Sequence, residues 1–154
     1  SAIREILAAG REMLAHPVET LPGVAETLAQ LTDTYRLVLV TKGDLMDQER
    51  KLAASGLGEL FSGVEIVSEK DRSTYERVFA RHGTGPEEGV MVGNSMRSDV
   101  LPAIEAGAWG VHIPYEVTWA HELADAPEGH PRYVTLARFD ELPEWLARIE
   151  RDPD

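Results

Sequence analysis

The chain has 154 residues, the size of a single domain that can bury its own core. Its 27 acidic and 15 basic residues give a net charge of −12, which argues against nucleic acid or an anionic membrane as a partner. The absence of cysteine excludes disulfides, thiolate catalysis and cysteine-bound metals. No apolar run approaches the roughly 18 residues of a membrane helix, and the acidic, amphipathic start is unlike a signal peptide, so a cytoplasmic location is expected.

Short apolar runs rich in β-branched residues alternate with amphipathic helical patterns along the chain. In chain order, the predicted elements are helix 2–15, helix 23–32, strand 36–41, helix 44–55, strand 64–67, helix 73–82, strand 89–93, helix 99–107, strand 109–114, a weaker strand 132–136 and helix 140–150. This alternation predicts an α/β fold, a Rossmann-like three-layer parallel sheet with helices on both faces. Because ligands of such sheets bind at the carboxyl ends of the strands, the residues after each strand are the candidates for chemistry.

Two polar segments follow the first two of these strands. Thr41-Lys42-Gly43-Asp44 lies between strand 36–41 and a helix, where a hydroxyl, backbone N–H groups and the positive end of a helix can hold phosphate oxygens. The alternative is a plain turn in which Asp44 caps the helix. Lys70 follows the next strand, and its ammonium either reaches the same crevice or is a solvated surface charge.

A longer polar loop, residues 93–99, follows strand 89–93. Asp99 and the side-chain oxygen of Asn94 are oxygen ligands of the kind that Mg²⁺ prefers. The alternative is helix capping, with Ser98 or Asp99 opening the next helix.

The three segments follow successive strands of the predicted parallel sheet. The Thr41 hydroxyl, the Lys70 ammonium and the oxygens of the 93–99 loop would therefore converge on one crevice. Phosphoryl transfer requires this combination, because it depends on positioning, positive charge and a metal ion at the phosphate oxygens.

The chain resembles the haloacid dehalogenase-like (HAD) superfamily of hydrolases over about residues 18–150. The matching stretches are LPGVAETLAQL with LVLVTKG, then SEK, then VGNSMRSDVLPAIEAGAWGVHIP. The resemblance implies a Rossmann-like core and, for most members, Mg²⁺-dependent phosphatase activity through an aspartyl-phosphate. It also implies catalytic roles for Thr41 and Lys70 and a metal site at Asp99 and Asn94. The implied phosphate-binding residues are Thr41, Lys42, Gly43 and Lys70.

Two features depart from the family pattern. Asn94 is an amide where members often carry an acid, which removes one negative charge from the metal site. The first family motif, Asp-x-Asp after an apolar strand in the middle of the sheet, is absent, and so is most of the helical cap that follows it. We therefore predict that the central first strand is absent from this chain. Residues 1–17 would end the cap and return to the core, and residues 18–154 would form the core.

The expected function is a phosphatase of a small phosphorylated metabolite whose nucleophilic aspartate lies outside this chain. An N-terminal fragment or a second chain that completes the sheet is the expected partner, and enzyme activity is expected only when that segment is present. Two alternatives stay open. One is a non-catalytic remnant of the HAD fold that acts as a binding or regulatory module. The other is a metal-independent 2-haloacid dehalogenase, against which the metal-ligand loop with Asp99 argues.

Overall fold

One six-stranded parallel sheet organises the chain. The structure, a computed structural model, describes residues 3–9, 24–42, 46–47, 49–50, 53, 58–83, 85–93, 95–113, 127 and 129–151. The strands are β1 (Glu5–Ala9), β2 (Arg36–Thr41), β3 (Gly63–Ile66), β4 (Gly89–Gly93), β5 (Trp109–His112) and β6 (Tyr133–Thr135). Their order across the sheet is β3-β2-β1-β4-β5-β6, and every neighbouring pair is parallel.

Four α-helices accompany the sheet: α1 (Val24–Leu31), α2 (Arg72–His82), α3 (Leu101–Ala106) and α4 (Leu142–Arg151). A π-helical turn, Met96–Val100, leads into α3, and short 3₁₀ turns cover Gly58–Leu60, Pro86–Glu88 and Phe139–Glu141. Within the predicted helix 44–55, residues 46, 47, 49, 50 and 53 are helical. The predicted α/β class is therefore confirmed, and strands 36–41 and 89–93 have the predicted bounds.

The sheet is buried on both faces, as continuous apolar strands require. Ile6 and Ala8 of β1 lie in one apolar cluster with Leu28 of α1 and Trp145 of α4. Leu7, which points to the opposite face, lies in a second cluster with residues of α2 and α3, including Tyr75, Val78, Phe79 and Ala103. The alternation of neighbouring side chains along β1 between these clusters makes its residues part of both halves of the core.

The prediction that this chain lacks a central strand is wrong. Glu5–Ala9 forms a strand there, pairing with β2 from Glu5↔Arg36 to Ala9↔Val40 and with β4 from Glu5↔Gly89 to Ala8↔Val92. Helix 2–15 is therefore wrong for residues 5–9, and the described part of segment 1–17 belongs to the core sheet rather than to a cap. The physical reason is that an empty centre would leave the inner backbone edges of β2 and β4 unpaired, a cost that local helical spacing does not outweigh.

Helix ends differ from the predicted ones in detail. The N-cap of α2 is Asp71, whose side chain accepts from the Thr74 backbone N–H at 2.9 Å, so the helix begins at Arg72, one residue before the predicted start at residue 73. Gly107, the last residue of the predicted helix 99–107, caps the end of α3 in the left-handed region at φ 107°. None of the helices in the described ranges is long and apolar enough to span a membrane.

Candidate active site

The polar residues of interest gather at the carboxyl edge of the sheet. The chain winds from β1 outward through β2 to β3, then returns to β4 on the other side of β1. In parallel α/β sheets such a reversal opens a crevice at the carboxyl ends of the two strands beside it. Here the reversal lies between β1 and β4. The segment after Gly93, the end of β4, borders this crevice, and the segment after Thr41 follows β2, the strand next to β1.

A buried ion pair lies at this edge. The Lys70 Nζ donates to Asp99 Oδ1 at 2.8 Å, and the two side chains are only 8% and 2% exposed. Two charges withdrawn from water this far are tolerated because each neutralises the other and their hydrogen-bonding groups are used. The sequence-based expectation that the segments after β3 and β4 converge is met by this contact.

Hydrogen bonds within the turn that carries Asp99 fix its conformation. The Ser95 side chain caps the π-helical turn by accepting from the Ser98 backbone N–H at 3.0 Å. The Ser95 backbone N–H in turn donates to Asp99 Oδ2 at 3.1 Å, so both carboxylate oxygens have donors. The alternative of a helix cap at Ser98 or Asp99 is therefore wrong: Ser95 caps the turn, and the Asp99 carboxylate contacts Lys70.

Gly93 makes room for this carboxylate. A Cβ placed on Gly93 would lie 2.2 Å from Asp99 Oδ2, far inside van der Waals contact. Only glycine allows the last residue of β4 to approach Asp99 so closely.

Thr41 is also where the sequence placed it. It is the last residue of β2 and is 1% exposed, and its hydroxyl donates to the Lys42 backbone carbonyl at 3.3 Å. The Lys42 side chain is exposed to solvent, so it borders the edge without being part of the buried ion pair. Two of the predicted site residues, Gly43 and Asn94, lie outside the described residues.

Two neighbouring residues of α2, Thr74 and Tyr75, donate hydrogen bonds to the backbone beside the ion pair. The sequence did not predict this role for them. The Thr74 hydroxyl donates to the Glu69 carbonyl at 2.8 Å, directly before Lys70. The fully buried Tyr75 donates its hydroxyl to the Ser98 carbonyl, also at 2.8 Å, directly before Asp99. One helix thus anchors the backbone beside both members of the ion pair. A buried tyrosine needs a partner for its hydroxyl, but nothing in the sequence indicates which partner it finds.

The central strand adds no reactive group to the edge within its described length. Its last two residues are Ala8 and Ala9, whereas an aspartyl-phosphate mechanism needs a carboxylate there. Among the described residues, no group of three His, Asp or Glu side chains forms a ready metal site. Asp99 does fit as one Mg²⁺ ligand, because this ion is commonly held by one or two carboxylates together with waters and substrate phosphate oxygens.

The known proteins that resemble this chain are hydrolases, and two of them are named phosphatases. Residues 3–107 match the haloacid dehalogenase-like hydrolases. Glyceraldehyde 3-phosphate phosphatase of Methanothermobacter thermautotrophicus is 33% identical over 105 residues, 64% of this chain and 46% of that protein. The protein of the same name from Pyrococcus furiosus is 25% identical over 138 residues, 86% of this chain and 55% of its own length.

Among solved structures, a haloacid dehalogenase-like family hydrolase from Xanthomonas campestris is 41% identical, with a TM-score of 0.71. The match covers 92% of this chain and 58% of that one. The chain thus spans about half the length of the curated relatives that it matches.

Proposed function

The chain belongs to the haloacid dehalogenase-like hydrolase family, and from this membership we propose that it is the core of a Mg²⁺-dependent phosphatase acting through an aspartyl-phosphate. The observation that carries the proposal is the buried Lys70–Asp99 pair at the carboxyl edge of the sheet. The segment that leads to Lys70 also reaches the end of β2, because the Val67 backbone N–H donates to the Thr41 carbonyl at 2.9 Å. Catalysis of phosphoryl transfer consists mainly of positioning and charge stabilisation, which such a pair supplies.

Each site residue has a role in this proposal. The Thr41 hydroxyl, the Lys70 ammonium, Lys42 and the backbone at Gly43 hold the phosphate oxygens. Asp99, with Asn94, holds Mg²⁺, which when bound neutralises charge on the phosphate. Lys70 orients the Asp99 carboxylate beside it. Its positive charge also offsets the negative charges of the phosphate, of Asp99 and of the external aspartate when the substrate binds. Its burial strengthens this effect, because water screens the ammonium only weakly there.

The proposed substrate is a small phosphorylated metabolite. Support comes from the two relatives, both named glyceraldehyde 3-phosphate phosphatase, and a three-carbon phosphate ester is therefore the first compound to test. The proposal includes the cytoplasmic location predicted from the sequence, where such metabolites occur.

The nucleophilic aspartate is proposed to come from outside this chain, on an N-terminal fragment or a second chain that completes the sheet. Support comes from the two alanines at the carboxyl end of β1 and from the shares of 46% and 55% that the chain covers of its relatives. With that aspartate in place, the enzyme would be a phosphoric monoester hydrolase.

The decisive experiment assays this chain together with the polypeptide segment proposed to carry the aspartate. We expect Mg²⁺-dependent phosphate release from glyceraldehyde 3-phosphate or another member of a panel of phosphorylated metabolites, abolished by EDTA. Asp99→Ala should reduce kcat/KM by about 10³-fold or more, as expected for losing a metal ligand and charge stabilisation in the transition state. Asp33→Ala, which removes an exposed aspartate beyond α1, is the matched control and should leave the rate unchanged.

A second candidate, a non-catalytic binding or regulatory module, is favoured by one specific observation: β1 completes the sheet without bringing an acid to the edge. Full-length protein that binds phosphate esters but releases no phosphate would favour this candidate over the enzyme. Release of halide from 2-haloacids that persists in EDTA would instead identify a metal-independent dehalogenase and overturn the metal assignment of Asp99.

A further inference from the structure

Glu5 is a buried carboxylate for which the proposed chemistry has no use. It opens β1 and is 1% exposed, and neither of its side-chain oxygens has a hydrogen-bond partner among the described residues. A Cβ on Gly83, the cap of α2, would lie 2.6 Å from Glu5 Oε1. The ring of Phe79, one turn earlier, lies against Gly89, the partner of Glu5 on β4. The Glu5 side chain is thus enclosed between the sheet and the end of a helix.

The charged groups of the elements around Glu5 are engaged elsewhere. Arg36, its partner on β2, donates to the His82 carbonyl at 2.7 Å. The remaining charged or titratable side chains contact one another: His82 with Glu65, Arg81 with Glu65, and Arg4 with Glu88. Burial raises the pKa of Glu5 to about 7, and the positive charge of Arg36 only partly opposes the rise. The carboxyl group therefore changes its charge near neutral pH while it is enclosed.

The helix that covers Glu5 reaches the active site at its other end. α2 has 11 residues, so its two ends are about 16 Å apart. In its first turn the Thr74 hydroxyl donates to the carbonyl before Lys70, and Tyr75 donates to the carbonyl before Asp99. The buried side of the helix packs in one apolar cluster with β1. A single packed helix therefore connects Glu5 with the backbone beside both members of the ion pair.

We propose that Glu5 is a positioning residue for the active site: its protonation state sets how firmly the end of α2 packs on the sheet and, through α2, how firmly the backbone beside Lys70 and Asp99 is held. Protonated Glu5 carries no charge, so its enclosure under Gly83 costs little. Ionised Glu5 places an unpartnered negative charge beneath the C-terminal end of a helix, where the helix dipole is also negative.

Raising the pH should therefore loosen α2. Only contact with water relieves the ionised carboxylate, so ionisation favours conformations in which the last turn of α2 lifts from the sheet. With a pKa of about 7 when enclosed and the ordinary 4.5 in water, the equilibrium constant for this opening grows about tenfold from pH 6 to pH 8. The Lys70–Asp99 pair is then less well positioned for phosphate. As a control on catalysis, this coupling rests on the proposed function.

Hydrogen exchange and NMR on this chain test the coupling. Exchange followed by mass spectrometry, corrected for the effect of pH on intrinsic amide exchange, should show about tenfold lower protection of α2 at pH 8 than at pH 6. The NMR signals of the Lys70 and Asp99 amides should shift with a midpoint near pH 7. Equal protection at both pH values would contradict the proposal. Lower protection confined to the last turn of α2, with both amide signals unchanged, would also contradict it.

A matched pair of variants assigns the pH dependence to Glu5. Glu5→Gln keeps the size of the side chain without its charge, so the changes in protection and in the amide signals should both disappear. Glu105→Gln removes the same charge from an exposed position of α3 and should retain both changes. If Glu5→Gln does not fold, Glu5→Met serves with the same expectation. Persistence of both changes in the Glu5 variant would overturn the proposal.

His82 needs its own control, because it lies in the last turn of α2 and histidine commonly changes its charge in this pH range. His82→Asn leaves the backbone carbonyl that accepts from Arg36 and should retain the pH dependence. Its loss in this variant, with persistence in Glu5→Gln, would assign the effect to the histidine and overturn the proposal. Because neither readout involves phosphate release, the result is independent of whether the reconstituted protein is a phosphatase.

Discussion

Buried carboxylates at the two ends of the sheet differ in their hydrogen-bond partners. At the carboxyl end, Lys70 and Asp99 are both withdrawn from water, and the carboxylate accepts from the ammonium and from the Ser95 N–H. At the amino end, Glu5 is buried as deeply as Asp99, but its oxygens have no described partner.

A third carboxylate, Glu65 of β3, shows that burial alone does not decide the outcome. Burial raises the pKa of Glu65, but hydrogen bonds from His82 and Arg81 outweigh it and hold the pKa below its ordinary value. Glu5 lies on β1, and only the nearby positive charge of Arg36 on β2 opposes the rise in its pKa. The comparison teaches that partners, rather than depth, separate a buried charge that supports a site from one that weakens a strand.

Breaking the carboxyl-end pair should have the largest effect. Lys70→Met leaves Asp99 buried without its ammonium, and we expect the free energy of unfolding to fall by about 3 to 5 kcal/mol in urea denaturation. Arg72→Met is the matched control, because its pair with Glu76 is exposed and should contribute about 0.5 kcal/mol or less. In the double variant Lys70→Met with Asp99→Leu, more than half of the lost stability should return. A loss equal to that of the surface control would show that the pair is not buried in solution.

Crowding the same carboxylate should come next. Gly93→Ala puts a methyl group 2.2 Å from Asp99 Oδ2, and the required shift should cost about 2 to 3 kcal/mol of unfolding free energy. Gly63→Ala is the control: its Cβ would lie 2.9 Å from His82 Cε1, the end of a side chain that can rotate away. Thermal denaturation of the two variants side by side should show a clearly larger drop in Tm for Gly93→Ala.

The amino end should respond to pH. Because the folded pKa of Glu5, about 7, lies above its ordinary value of 4.5, the folded state holds the extra proton between these values. Its contribution is complete below about pH 4.5 and is lost as the pH rises through 7, a change of about 3 kcal/mol. Glu5→Gln removes the titration, so the difference in unfolding free energy between wild type and variant should grow from pH 5 to pH 8. A constant difference over this range would show that Glu5 does not titrate between the two states.

The smallest predicted effect comes from removing the hydroxyl of Tyr75, which tests whether α2 positions the turn that carries Asp99. Tyr75→Phe deletes the hydrogen bond to the Ser98 carbonyl and should cost about 1 kcal/mol of stability. It should also shift the NMR signal of the Asp99 side-chain carboxyl carbon, because Ser98 directly precedes Asp99. Tyr35→Phe removes a hydroxyl that is hydrogen-bonded to Glu150 and should leave the Asp99 signal in place. Equal shifts in the two variants would argue against a positioning role for Tyr75.

Much of the frame was predictable because buried parallel strands have an unmistakable composition. The stretches 37–40 and 90–92 are continuously apolar, and the strands around them have the predicted bounds 36–41 and 89–93. The approach of Lys70 to Asp99 was likewise predictable in outline, since segments after successive parallel strands share one edge. Gly93 and Ser95 were visible as residues of the polar loop. That Gly93 leaves room for the Asp99 carboxylate and that the Ser95 N–H donates to it depend on distances across the turn, which no local pattern contains.

The amino-acid sequence by itself determined the alternation of strands and helices, the polar residues at the strand ends and the lack of an Asp-x-Asp motif after an apolar strand, because these depend on residue type and local spacing. Only the tertiary structure decided that residues 5–9 fill the centre of the sheet, that Ser95 caps the turn and that Tyr75 anchors it. The physical reason is that the segment 2–15 carries a pattern compatible with both helix and strand. The choice between them depends on the unpaired backbone edges of β2 and β4, which lie far away in sequence and adjacent in space.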